Sequence, residues 1–347
     1  MLIIPEIPAL DLAAAQAARQ RQAQLTKPAG SLGQLEDLSI QLAAICGCSR
    51  PSVARKGIII MAADHGVCRE GVSAYPAEVT TQMVLNFLHG GAAINVLARQ
   101  AGARVVIVDI GVATEFGDLP GLVRRKVACG TANMAHGPAM TREQAEQAIQ
   151  TGIEVVQSEI EAGLDLVATG DMGIGNTTAS TAIVAAFSGL PIDQLTGRGT
   201  GIDDAGLCRK IAVIEQALEV NRPNPADALD VLVKVGGLEI AGLAGVIIGA
   251  AAKRVPVVID GFISGAAALV AVELVPAVQP YLIAAHQSVE IGHRAILERL
   301  GLRALINLNL RLGEGTGAAL AFHLIEGAAR VLNEMATFAE AGVSGQE

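Results

Sequence analysis

From residue 51 onward the chain alternates short apolar runs with longer stretches of helical periodicity. Residues 58–64, 105–111, 164–171 and 255–261 are aliphatic runs that end in Gly or Asp, and weaker ones follow at 281–285 and 305–310. Runs without polar alternation are strands covered on both faces, and strands alternating with helices build a parallel sheet. Segments 76–100 and 141–162 have helical length and period, the second opened by Thr141 with Gln144 as a capping pair. The first 50 residues differ. Residues 11–25 read as an Ala/Gln/Arg-rich amphipathic helix, and Ser31 with Gln34 opens a second helix to about Cys46, with no strand between them. This predicts a small helical unit, onto which a last helix over 316–340 returns. In an open parallel sheet, ligands sit beyond the carboxyl ends of the strands, so the segments that follow the strands are where chemistry is sought.

Composition narrows the function classes. Of 347 residues 51% are apolar, so disorder is excluded, but there are only 6 Phe, 2 Tyr and no Trp against 39 Gly. Few aromatics and a net charge of −9 argue against a nucleic-acid partner, which needs stacking rings and clustered cations. Mean hydropathy is +0.46, yet the longest uncharged apolar run, 240–252, is too short for a span of roughly 20 residues and lies between Glu239 and Lys253. Residues 1–12 carry Pro5, Glu6, Pro8 and Asp11 with no basic region, which is not a secretory signal. The expectation is a cytoplasmic protein without membrane contact. Five scattered cysteines fit reduced thiols, with Cys46 and Cys48 read as buried, and no spacing of Cys or His suggests a metal site.

Four strand-end segments and one further loop offer chemistry. Gly170-Asp-Met-Gly-Ile-Gly-Asn-Thr-Thr178 opens a helix at about Asn176, so its amides and the helix dipole form either an anion cradle or a plain capped turn. The loop Gly197-Arg-Gly-Thr-Gly-Ile-Asp203 leads into a helix carrying Lys210, a phosphate partner or a solvated charge. Arg311-Leu-Gly-Glu-Gly-Thr-Gly317 sets Glu314 between two glycines, as a general base or as a first-turn complement to the helix dipole. Asp260-Gly-Phe-Ile-Ser-Gly265 offers Asp260 to a ribose or as a buried cap, and Asp64-His65-Gly66 ends the first strand. Two further function classes fit a sheet with glycine loops: a nucleotide-binding oxidoreductase and a non-catalytic nucleotide sensor. The first needs G-x-G-x-x-G after an early strand, where Asp64-His65-Gly66 stands instead.

Together with Leu25-Thr-Lys-Pro-Ala-Gly-Ser-Leu-Gly33, Ala63-Asp-His-Gly-Val67, Glu70-Gly-Val-Ser-Ala-Tyr-Pro-Ala-Glu-Val-Thr80 and Asp260-Gly-Phe262, the Gly170 and Arg311 segments closely resemble the nicotinate-nucleotide:dimethylbenzimidazole phosphoribosyltransferases of cobalamin biosynthesis. The likeness runs over nearly the whole chain. It implies an α/β fold with a Rossmann-like parallel sheet covered by helices on both faces over 51–317. It further implies a small helical domain built from 1–50 with 318–347, and a homodimer. It implies transfer of phosphoribose from nicotinate mononucleotide to 5,6-dimethylbenzimidazole or a related base, without cofactor or metal. The departing pyridinium neutralises its own charge, so one carboxylate suffices where a glycosidase uses two. By resemblance that base is Glu314, and the nucleotide is held by Asp171, Gly173, Ile174, Gly175, Asn176, Thr177, Lys210, Asp260, Gly261, Phe262 and Ser288. The base pocket is lined by Tyr75, Gln82, Met83, Met172 and Leu312. Asp171 stands where many relatives carry Glu, and Asn307 where an Asp is expected.

Overall fold

A computed structural model describes residues 2–344; Met1 of the N-terminal segment and residues 345–347 of the expected terminal helical unit lie outside the described residues. In chain order the elements are α1 Leu12–Gln24, α2 Gln34–Cys46, β1 Lys56–Ala63, α3 Glu78–Leu88, α4 Ala93–Ala101, β2 Ala103–Gly111, β3 Leu122–Arg124, α5 Arg142–Glu161, β4 Leu166–Met172 and α6 Asn176–Ser188. They continue with α7 Asp204–Asn221, α8 Ala228–Val235, α9 Leu238–Ala252, β5 Val257–Ile259, α10 Phe262–Leu274, β6 Leu282–Ala284, α11 Ile291–Leu300, α12 Thr316–Glu334 and α13 Phe338–Ala341. The six strands form one sheet in the order β3-β2-β1-β4-β5-β6, every pair parallel.

Alternate residues of each strand feed different cores. Ile59 and Met61 of β1 join α5, α9 and α10 on one face, while Ile58 and Ile60 join α2, α4 and α12 on the other. Both faces being covered, the strand reads as an unbroken apolar run. The run 240–252 has a similar cause: α9 lies buried between the sheet and α5. A Cβ at Gly152 or Gly245 would collide with the facing helix backbone, so these glycines let α5 and α9 approach at backbone distance. Among the described residues no helix is long and apolar enough to cross a membrane.

Several boundaries differ from expectation. Residues 305–310 form no strand; Ile306 makes one parallel bridge to His286, and Asn309 at φ +55° turns the chain away. Segment 76–100 is two helices, broken where Gly90 takes φ +77°. Ser31 does not cap α2, whose N-cap is Gly33; Glu36 instead reaches back to the Leu32 N–H and pairs with Lys27. The last helix stops at Glu334, and α13 restarts behind a Thr337 cap. Cys46 is only half-buried and Cys48 is exposed because it follows the C-cap Gly47; all five thiols are free. Asp11 caps α1, and Thr141 with Gln144 caps α5 as expected. At the chain ends α1 and α2 meet the final turns of α12, with Ala18, Ala43 and Leu332 in contact and Leu25 bridged to Thr337.

Candidate active site

The strand order reverses between β1 and β4, where successive crossovers part and leave a crevice at the carboxyl ends. There a cavity of about 500 Å3 is lined by Asp171 to Thr177 after β4, Gly261 to Ile263 after β5, His286, Ser288 and Glu290 after β6, and Arg311 to Glu314. Val72, Ser73, Tyr75, Val79 and Met83 close one side, and Gly199 with Thr200 another.

The turn after β4 is held from outside, which leaves its inner face for a ligand. Ile174 donates its N–H to Thr80 Oγ1 (3.1 Å), and Cys68 Sγ donates to the Ile174 carbonyl (2.9 Å). Asn176 and Thr178 donate backward to the carbonyls of Gly173 and Gly175. Among the described residues no acceptor takes the amides of Gly175 and Thr177, which stand at the N-terminus of α6. Gly175 sits at φ +96°, and a Cβ there would lie 2.6 Å from Cys68 Sγ. Lys210, fully buried, donates from Nζ to Thr177 Oγ1 (2.8 Å), and burial lowers its pKa to about 8. Free amides, a hydroxyl and an ammonium at one helix start make an anion site. Beneath it His65 packs on Gly173 and pairs with Glu239 (2.6 Å), wholly buried.

The 311–317 segment, packed against the end of β4, carries the carboxylate. Gly313, Glu314 and Gly315 take φ of +81°, +63° and +90°, a left-handed run that costs a non-glycine residue about 1–2 kcal/mol. Asp260 holds it there: Oδ2 accepts from Gly315 N–H (3.1 Å) and Oδ1 from Ala318 N–H (2.9 Å), capping α12 from the end of β5. Glu314 is 6% exposed and accepts the N–H of Ile94, in the first turn of α4, at 3.3 Å. Burial pushes its pKa up to about 7; the Ile94 N–H opposes this and the Asp260 charge adds to it. Asp171 is driven well above the usual carboxylate range by burial and then by the charges of Asp260, Glu239 and Glu314. Its Oδ2 accepts from Asn176 Nδ2 (3.0 Å), while Oδ1 has no partner among the described residues.

Of the residues expected at the site, Glu314, Asp171, Gly173, Ile174, Gly175, Asn176, Thr177, Gly261, Phe262, Ser288, Tyr75, Met83, Met172 and Leu312 line this one cavity. Three do not. Lys210 lies behind Thr177 and touches the site through it. Asp260 is a buried cap, the second of the two alternatives for it, and shapes the Glu314 turn from below. Gln82 is exposed on α3, whose Val79 and Met83 face the cavity. Ser288 is oriented on three sides: Oγ donates to the Leu310 carbonyl and accepts from Glu290 N–H, and its own N–H donates to His293 Nδ1. Burial, with a further push from His286, keeps His293 uncharged near a pKa of 3. Sequence reasoning missed His286 and Glu290 as lining residues, while Thr200 lies in the 197–203 loop it had marked. Thr200 Oγ1 accepts from Ala74 N–H (3.0 Å), a contact between loops 126 residues apart that no local pattern announces.

Comparison with known proteins shows the family and the fold. A relative from Roseiflexus sp. (strain RS-1), named nicotinate-nucleotide--dimethylbenzimidazole phosphoribosyltransferase, is 64% identical over 99% of this chain and 97% of its own. One of the same name from Chloroflexus aggregans is 64% identical over 98% and 97%. The crystal structure of CobT from Thermus thermophilus superposes with a TM-score of 0.93 at 50% identity, covering 96% of this chain and all of that one. The phosphoribosyltransferase family DBI_PRT matches residues 7–343, and with relatives of that name 64% identical over nearly the whole chain, the chain belongs to that family.

Proposed function

We propose that the chain transfers phosphoribose from nicotinate mononucleotide to a nitrogen of 5,6-dimethylbenzimidazole or a related base, giving α-ribazole 5′-phosphate and nicotinate for the nucleotide loop of cobalamin. The observation that carries the reading is one cavity holding both the α6 anion site and Glu314, a carboxylate with pKa about 7. The phosphate is held by the amides of Gly175 and Thr177, with Lys210 behind them, which fixes the ribose in the cavity that holds Glu314. Glu314 takes the proton from one ring nitrogen while the other attacks C1′ and nicotinate departs. A base with pKa near neutrality is ionised often enough to act and still basic enough to accept the proton. Met83, Met172 and Leu312 receive the flat base with few aromatic partners, which favours tolerance of several bases. The oxidoreductase and sensor readings have no comparable support.

The same reading makes the protein a cytoplasmic homodimer whose helical unit comes from 1–50 and 318–347. Support for association comes from Tyr75, Val289, Ile291, Leu308 and Leu312, apolar and 46–57% exposed on the mouth and its flanking loops. The decisive experiment incubates the protein with nicotinate mononucleotide and a panel of bases and identifies products by mass. Nicotinate is expected only when a base is present; nicotinate without base, or none at all, refutes the transfer.

A further inference from the structure

One carboxylate on the cavity wall has no part in the transfer described above. Glu290, at the N-cap position of α11, is 7% exposed, and its Oε2 has no hydrogen-bond partner among the described residues. A Cβ at position 197 would collide with that carboxylate, so glycine there is what lets Glu290 lie against the 197–203 loop. The carbonyl of the same Gly197 accepts from Lys210 Nζ at 3.4 Å. Glu290 and Lys210 therefore converge on one residue, the first from the cavity wall and the second from beneath Thr177.

A buried ammonium sheds its proton unless a negative charge faces it. Burial lowers Lys210 and the Glu290 charge raises it again. The other charged groups around α7 have partners of their own or are exposed, Glu215 and Glu219 of α7 itself and its C-cap Arg222 among the exposed ones. Arg311 donates to the Gly199 carbonyl, Arg198 to the Ile202 carbonyl and to Asp204, and Asp203 caps α7 through Gly206 N–H. Arg209 donates to the Gly71 carbonyl, Asp230 and Lys234 of α8 pair with each other, Asp193 is exposed, and His293 is neutral. The helix α6 carries no ionisable residue.

We propose that Glu290 is a positioning residue, which keeps Lys210 an ammonium directed at Thr177 so that the incoming phosphate meets a fixed, charged donor. This rests on the phosphoribosyl transfer proposed above. It is tested on the full chain by kcat/KM for nicotinate mononucleotide with saturating dimethylbenzimidazole, from about pH 6.5 to 9.5, above the second phosphate ionisation at about 6. The rise at about pH 7 is read as Glu314 in every variant and fitted apart from the alkaline limb. In the wild type an alkaline limb near pH 8 reports Lys210. Glu290→Gln should move that limb down by about one pH unit, and Glu290→Asp should restore most of it. Lys210→Arg should abolish the limb across the window, because a guanidinium stays charged. A limb that stays in place in Glu290→Gln, or persists unmoved with arginine at 210, overturns the assignment. If Glu290→Gln fails to fold, Glu290→Asp against the wild type decides in the same way, by a smaller downward shift. A wild type that makes no product refutes the transfer itself, and is distinct from either result.

Discussion

Replacing Glu314 by glutamine separates catalysis from stability, because the carboxylate is held in a place where its charge is costly. A carboxyl with an ordinary value of 4.5 and a folded value of about 7 binds more protons folded than unfolded between those pH values. Its contribution to stability is therefore present below about pH 4.5 and lost as pH rises toward 7. Over 2.5 units at 1.36 kcal/mol each, the ionised Glu314 costs about 3 kcal/mol at pH 8 and under about 1 kcal/mol at pH 5. Glutamine can still accept the Ile94 N–H and takes on the same left-handed backbone, so those contributions cancel in the comparison. Asp171 and Asp260, also raised, titrate in both proteins; Asp171 feels the Glu314 charge, so its relief in the variant adds in the same direction. Glu314→Gln is thus expected to melt several degrees higher at pH 8, with the gap closing toward pH 5, while turnover falls by about 10²–10⁴. Thermal melts at both pH values and product formation by mass check the pair. Turnover within tenfold of the wild type would remove Glu314 as the base, and equal melting temperatures at pH 8 would mean that its charge is solvated.

Gly175→Ala forces a side chain onto a residue at φ +96° and toward Cys68 Sγ, and strain of about 1–2 kcal/mol there should raise KM for the nucleotide about tenfold with KM for the base unchanged. Brief alkylation followed by peptide mass mapping should modify Cys48, Cys129 and Cys208, which are exposed, well before Cys46 and Cys68, whose thiols burial pushes up to about 11 and 12.

The central strands were legible because burial on both faces writes them as unbroken apolar runs: all eight residues of β1 are buried. Leu305, Ile306, Leu308 and Leu310, set among Asn307 and Asn309, read equally well as a strand, but β6 already offers an edge only three residues long and Asn309 turns left-handed beside it. The three residues of β3 are too few to show any period. At the site, segments whose backbone must turn sharply betrayed themselves by glycine, so 170–178 and 311–317 stood out. Thr200 sits in the glycine-rich 197–203 loop, but Glu290 is a single residue brought to the cavity by tertiary folding alone. Asp260 lay in a recognisable motif, yet only the structure decides that its carboxylate serves the amides of Gly315 and Ala318.

The glycines also do something that phosphate binding does not account for. Around the cavity each of several buried ionisable side chains rests on a glycine: His65 on Gly173, Asp171 on Gly313, His286 on Gly261 and Gly317, Glu290 on Gly197. A side chain at any of these positions would push the titrating group away, or fill the space between it and the turn that carries substrate contacts. Removing the Cβ lets charges that burial would otherwise penalise sit directly behind the backbone amides and the Glu314 turn, where the low local dielectric strengthens their effect. Burial raises Asp171 and Glu314 first, and neighbouring carboxylates add to it, Asp260, Glu239 and Glu314 for Asp171 and Asp260 for Glu314. A chain with 39 glycines and eight aromatic residues is thus suited to a site that works by dense buried charge, and a methyl group added at Gly313 would act first on the Asp171 carboxyl 3.1 Å away.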